Sequence, residues 1–235
     1  MSAKDRRRQI TEAALEVVAK HGLLGATTPR VAAAAGISPA AIYKHFASRE
    51  QLLLAALDLL YDQIEELLFE SSADLPILER LRAVETLHSS LVSSGGGSFV
   101  YPLFEFLAAP PEIGLREAHG ARQLRVIERL AQMIEQAKSE GTLPMGLDSE
   151  QVAWELHAVF WAEDISYLLG LTQFVSAGRS RTIVNNLLAR LAGDGESRSA
   201  DESWQEDLRE VRKLLGRCPL LQEQTEGSEG LLTPE

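Results

Sequence analysis

The sequence predicts an all-α protein, and three observations carry that prediction. Apolar residues recur at three- and four-residue spacing along most of the chain. Alternating runs of Val, Ile, Thr and aromatics, the mark of a half-buried strand, are missing. Helix openers such as Thr28-Pro29 and Ser38-Pro39, and closers such as Gly22 and Gly36, fall between the stripes. About nine or ten helices are expected from this punctuation.

The elements follow in order. Residues 6–21 place Ile10, Ala14, Val17 and Val18 on one face, and Gly22 stops the run. Thr27 and Thr28 supply hydroxyls for free backbone N–H groups and Pro29 suits a first turn, so a short helix is expected over residues 28–35. Ser38-Pro39 opens another, over residues 39–46, with Ile42 and Phe46 inward. Ser48 caps a long connecting helix over residues 49–70. Pro76 opens a helix to about Val92, and Ser93-Ser94-Gly95-Gly96-Gly97-Ser98 is expected to be a loop. A short apolar helix is expected over residues 99–108, then one from Pro111 to about Glu140. Asp148-Ser149 caps a helix reaching about Leu169, and another spans residues 172–191 with a kink at Gly178. Beyond Gly193-Asp194-Gly195, the residues Trp204, Leu208, Val211 and Leu215 mark one further amphipathic helix, and a polar, acidic tail expected to be disordered follows Cys218.

Charge is unevenly spread over the 235 residues, whose net charge is −11. Residues 1–50 hold eight Lys/Arg against four Asp/Glu, a net of +4, which leaves −15 for the remainder. A basic head on an acidic body is the asymmetry expected when one end meets phosphates. No apolar run is long enough to span a membrane, and the first residues lack the apolar stretch of a secretory signal, so a cytoplasmic location is expected. One cysteine, Cys218, excludes an internal disulfide and a multi-cysteine zinc site. His88, His119, His157, Glu163 and Asp164 have no local ligand spacing, so no metal is expected.

Two short helices joined through Gly36-Ile37-Ser38 form a helix-turn-helix. Ala32 is small where the helices cross, Gly36 supplies the left-handed turn, and Val31, Ile37 and Ile42 seal the small core. The second helix can then enter a major groove. The segment from Thr27 to Leu52, with the preceding helix Ile10-Thr11-Glu12-Ala13-Ala14 through Gly22, resembles the DNA-binding signature of the tetracycline-repressor (TetR) family. The late turn Glu140-Gly141-Thr142-Leu143-Pro144 is also similar to that family.

The resemblance implies a DNA-binding head over residues 1–50 and a helical ligand-binding and dimerisation bundle over residues 51–193. It implies no cofactor. Thr27, Thr28, Ser38, Pro39, Ala40, Ala41, Tyr43, Lys44, His45 and Arg49 are the expected DNA-facing residues. Tyr43 and His45 match the family's phosphate-binding aromatic and histidine, Arg49 stands where a cation reaches a phosphate, and Lys44 can reach a guanine edge or a phosphate. Ala40 and Ala41 offer only methyl groups, which favours thymine methyls and shape readout. Arg6, Arg7 and Arg8 are expected as a basic arm near the minor groove.

The helix over residues 149–169 carries Trp154, His157, Trp161, Asp164 and Leu168 on one face, and Val152, Ala153, Leu156, Phe160 and Leu169 on another. Two occupied faces imply two partners, a core and a second subunit. His88, Phe104, Met133, Trp154, His157 and Trp161 are the candidate lining of a mostly apolar pocket, and Ile183, Val184, Leu187, Leu188 and Leu191 the candidate dimer interface. The resulting expectation is a homodimeric repressor that a small, mostly apolar effector releases from a near-palindromic double-stranded operator. The rivals are an all-α enzyme using the same pocket and an adaptor binding protein through residues 204–215; the enzyme lacks Gly-x-Ser-x-Gly, His-Glu-x-x-His and P-loop motifs.

Overall fold

The computed structural model describes residues 2–193. The regular elements among them are helical: α1 (Ala3–Gly25), α2 (Thr28–Ala34), α3 (Pro39–Ile42), α4 (Arg49–Glu65), α5 (Ile77–Leu107), α6 (Leu115–Ser139), α7 (Ser149–Leu168), α8 (Thr172–Ser176) and α9 (Arg179–Ala192). The amphipathic segment expected over residues 204–215 and the tail after Cys218 lie outside the described residues.

Local chemistry explains most of the boundaries. Ser2 and Asp5 form a reciprocal capping box at the start of α1. Ser38 Oγ accepts the Ala41 N–H at 3.3 Å, Ser48 Oγ accepts that of Gln51 at 3.2 Å, and Asp148 accepts those of Glu150 and Gln151 at 3.1 Å. Past Glu65 the connecting helix widens into a π-turn, Glu66–Glu70, with Ser71 N–H donating to the Glu66 carbonyl at 3.1 Å.

Five expectations need correction. The Ser93–Ser98 run is helical, and α5 passes through it, joining what read as two helices. Three glycines cost about 1 kcal/mol each against alanine. The run is bracketed by Leu91, Val92, Phe99 and Val100, each 2% exposed or less. Burying such side chains is worth about 1.5–3 kcal/mol apiece, so packing outweighs propensity. Ser90, Ser93 and Ser94 return their hydroxyls to the carbonyls four residues earlier, which removes them as helix breakers. The second correction is that the helix expected from Pro111 begins at Leu115, because a single 3-10 turn and Gly114 at φ 73° come first. Third, Gly178, at φ 62°, is a full break between α8 and α9 rather than a kink. Fourth, α3 is regular only to Ile42, and Tyr43–His45 continue it as a turn. Last, Thr27 makes no side-chain cap at α2.

Among the described residues two compact units result: residues 2–64 with 97–124, and residues 65–96 with 125–193. In the first, Ile10, Ala14, Val18, Ile42, Phe46 and Leu53 are buried. Asp58 and Arg122 pair there, and His119 packs edge-on to Tyr61 with ring centroids 5.7 Å apart. The second unit buries Leu81, Val84, Leu87, Leu130, Ile134, Ala153 and Leu188. In it Lys138 holds the turn before α7, donating to the Leu147 carbonyl and the Glu135 carboxylate, both at 2.8 Å.

Candidate functional site

The turn between α2 and α3 is assembled from short-range contacts. Val31, Ala32 and Ile42 are buried where α2 and α3 meet. Gly36, at φ 65°, turns the chain so that Ile37 N–H returns to the Ala32 carbonyl at 2.9 Å. A side chain there would be strained, and glycine is the residue without that penalty. The turn leaves Ser38, Pro39 and Ala40 exposed and Ala41 half-exposed, so the start of α3 faces outward. Tyr43 is 56% exposed, Lys44 is exposed and His45 is half-buried. Thr28 Oγ1 lies 3.3 Å from the Tyr43 hydroxyl, which ties the start of α2 to the end of α3. Thr27 is exposed beside it.

The basic residues of the head divide in a way that spacing does not reveal. Arg7 donates to the His45 carbonyl and stacks its guanidinium 3.9 Å from the centre of the Phe46 ring, so it ties α1 to the turn that follows α3. Arg8 pairs with Glu12 at 2.8 Å and Arg6 donates to Gln9 at 2.9 Å. Arg49 donates from Nε to the Ala26 carbonyl at 2.8 Å and from Nη2 to that of Leu23, and Arg30 donates to the Gly25 carbonyl at 2.8 Å. These three carbonyls end α1, so both guanidiniums brace the corner before α2.

A second candidate site lies in the core of the second unit. His88 and Ser89 on α5, with Glu163 and Asp164 on α7, are all 4% exposed or less. His88 Nδ1 is 3.0 Å from Glu163 Oε2, and Nε2 is 3.4 Å from Asp164 Oδ1. Ser89 donates to Glu163 and lies 2.9 Å from Glu85, whose far oxygen is 3.8 Å from Arg181 Nε. Phe160 stacks on the His88 ring at 4.5 Å, and Trp161 meets His157 edge-on at 6.2 Å.

Burial and charge oppose one another in this cluster. Burial would lower the His88 pKa, but the Asp164 and Glu163 carboxylates prevail and push it up to about 10. Burial, reinforced by the Glu163 charge, pushes Glu85 up to about 7. Burial works against ionisation of Glu163 as well, but the His88 hydrogen bond and charge hold its carboxyl below the usual range. Burial, then the His88 charge, lowers His157 to about 4. The acidic neighbours therefore favour the charged form of His88, and burial favours the neutral form of His157 beside it.

Of the residues expected to line a pocket, His88, Met133 and His157 are buried in the second unit and Trp161 is half-buried. Trp154 is 57% exposed, and Phe104 belongs to the first unit. Of the expected interface residues, Val184 and Leu188 are buried, Leu187 and Leu191 are half-buried, and Ile183 is 55% exposed. Ile165, Leu169 and Phe174 are exposed in the same unit. Glu85, Ser89 and Arg181 did not stand out in the sequence. The signal was present: Glu85, His88 and Ser89 interrupt the apolar positions Leu81, Val84, Leu87 and Leu91 of one helix.

Residues 10–56 match the family model for bacterial regulatory proteins of the tetR family. The HTH-type transcriptional regulator BetI of Rhizobium meliloti (strain 1021) is 38% identical over 61 residues, which cover 26% of this chain and 30% of BetI. Over longer stretches, a TetR-family transcriptional regulator from Rhodococcus sp. superposes with a TM-score of 0.67 at 23% identity, covering 82% of this chain and all of that one (100%). SmeT, the repressor of the Stenotrophomonas maltophilia multidrug efflux pump SmeDEF, gives 0.61 at 22% identity, covering 78% of this chain and 88% of SmeT. FadR from Bacillus subtilis, in complex with stearoyl-CoA, gives 0.57 at 20% identity, covering 79% and 97%.

Proposed function

This chain has the fold of TetR-family transcriptional regulators and opens with the DNA-binding head of that family, and from that premise we propose that it is a homodimeric, effector-responsive repressor. The observation that carries the reading is the outward-facing start of α3 beside exposed Tyr43 and Lys44, on a head whose net charge is +4. Ser38, Pro39, Ala40 and Ala41 face base edges of a major groove. Thr27, Thr28, Tyr43, Lys44 and His45 face phosphates and flanking edges, and Arg49 braces the corner behind them.

The second copy docks on the exposed apolar residues of the second unit, Ile183 and Ile165 among them, and sets two heads on the half-sites of a near-palindromic operator. The effector is a small, mostly apolar molecule bound in the second unit beside His157 and Trp161, with the His88 cluster as its polar reference. That SmeT is a repressor and that FadR was captured with stearoyl-CoA supports this reading. The protein works in the cytoplasm, where its DNA is. The test is a gel-shift with the DNA upstream of its own gene over a range of salt. A retarded complex that unrelated DNA does not compete away is expected, and loss of that preference at every salt concentration sinks the reading.

A further inference from the structure

Glu105, near the C-terminal end of α5, accepts the Leu23 N–H at 2.6 Å across 82 residues of sequence. That amide is available because α1 is interrupted: Gly22 takes φ 69° and ψ 172°, outside the helix. Leu23 is buried, and its N–H, which makes no helical bond there, finds its acceptor in Glu105. The fit is close. A Cβ on Gly22 would lie 3.1 Å from each Glu105 carboxylate oxygen, and its φ would be strained as well. From the other sides, Arg49 takes the Leu23 and Ala26 carbonyls and Arg30 takes that of Gly25. One acid and two bases thus satisfy the backbone where α1 ends and the path to α2 begins.

We propose that Glu105 is a positioning residue for DNA binding, holding the α1–α2 corner in the form that presents α3 while touching no DNA itself. The corner lies between two parts of the reading surface. Before it, α1 carries Arg7, which holds the turn after α3 through His45 and Phe46. After it, Thr28 opens α2 and meets Tyr43. Rotation at Leu23 displaces one part relative to the other, so an acceptor there acts on affinity through geometry. The inference rests on the proposed DNA-binding function.

The experiment uses the full chain as wild type, Glu105→Gln and Glu105→Ala, with circular dichroism confirming that each is folded. The probes are a labelled duplex of the DNA upstream of its gene and a shuffled duplex of equal length. Glu105→Ala is expected to weaken the upstream duplex about tenfold, leaving the shuffled duplex and the salt dependence unchanged. Glu105→Gln keeps an acceptor oxygen and returns affinity to within about twofold of wild type. Amide exchange at Leu23 is expected to be slow in wild type and Glu105→Gln and fast in Glu105→Ala. Gly22→Ala, which attacks the same contact from its other side, is expected to reproduce the Glu105→Ala binding loss. Equal binding by wild type and Glu105→Ala, or unchanged Leu23 exchange, overturns the proposal even if the protein binds DNA. If wild type fails to distinguish the two duplexes, the DNA-binding reading fails first and this role falls with it.

Discussion

The head and the buried cluster of the second unit use charge in opposite ways. In the head, Arg7, Arg30 and Arg49 direct their guanidiniums at backbone carbonyls, while Tyr43 and Lys44 remain in water. Charges placed at or near the surface are cheap to keep. In the second unit, His88, Glu163 and Asp164 leave water altogether and are retained only because each has an opposite charge within 3.4 Å. Such a pair rarely adds stability over apolar residues of the same shape, yet removing one member exposes the other to the full cost of burial. Removing one exposed charge of the head is therefore expected to cost little stability, and removing one member of the cluster to cost much. This suits the proposed division between reading DNA and sensing an effector.

The largest expected effect tests that contrast directly. His88→Leu strands the Glu163 and Asp164 carboxylates and is expected to cost about 3–5 kcal/mol in urea unfolding. A loss below about 1 kcal/mol would mean that the cluster behaves like the head. Next is Ile183→Asp, which places a charge on an exposed apolar face and is expected to shift sedimentation from dimer to monomer, costing about 2 kcal/mol or more of association. An unchanged dimer would move the interface elsewhere.

A smaller effect appears as pH dependence. Glu85, raised from 4.5 to about 7, contributes stability that is complete below pH 4.5 and is lost as pH rises through 7. His157 and His119, both lowered from 6.5 to about 4, contribute stability that is complete above pH 6.5 and is lost as pH falls through 4. Glu85→Gln is therefore expected to remove part of the alkaline loss, so that its Tm relative to wild type climbs between pH 4.5 and pH 7. A parallel pair of curves would show that Glu85 titrates normally. The smallest effect is on the other side of the comparison. Lys44→Ala is expected to change stability by less than about 0.5 kcal/mol and to lower the log–log salt slope of DNA binding by about 1.

How much was legible depended on how far apart in sequence the deciding contacts lie. The helix-turn-helix could be read residue by residue, because Ser38 caps within three residues and Gly36 turns on its own φ. Arg49 was recognisable as a cation at a helix start, but its partners Leu23 and Ala26 lie 26 and 23 residues away, and only their carbonyls are used. Backbone groups leave no trace in residue identity. Glu105 was hidden for the same reason.

The sequence by itself determined the all-α class, the capped starts of α3, α4 and α7, and the basic head, since each follows from local propensity, a cap or a sum of charges. The tertiary structure decided that Gly95-Gly96-Gly97 is helix, because only the burial of Leu91, Val92, Phe99 and Val100 outweighs the glycine penalty. It also decided that His88 holds its proton more tightly than a free histidine. That shift depends on Glu163 and Asp164, some 75 residues further along the chain, arriving beside the ring in the core of the second unit.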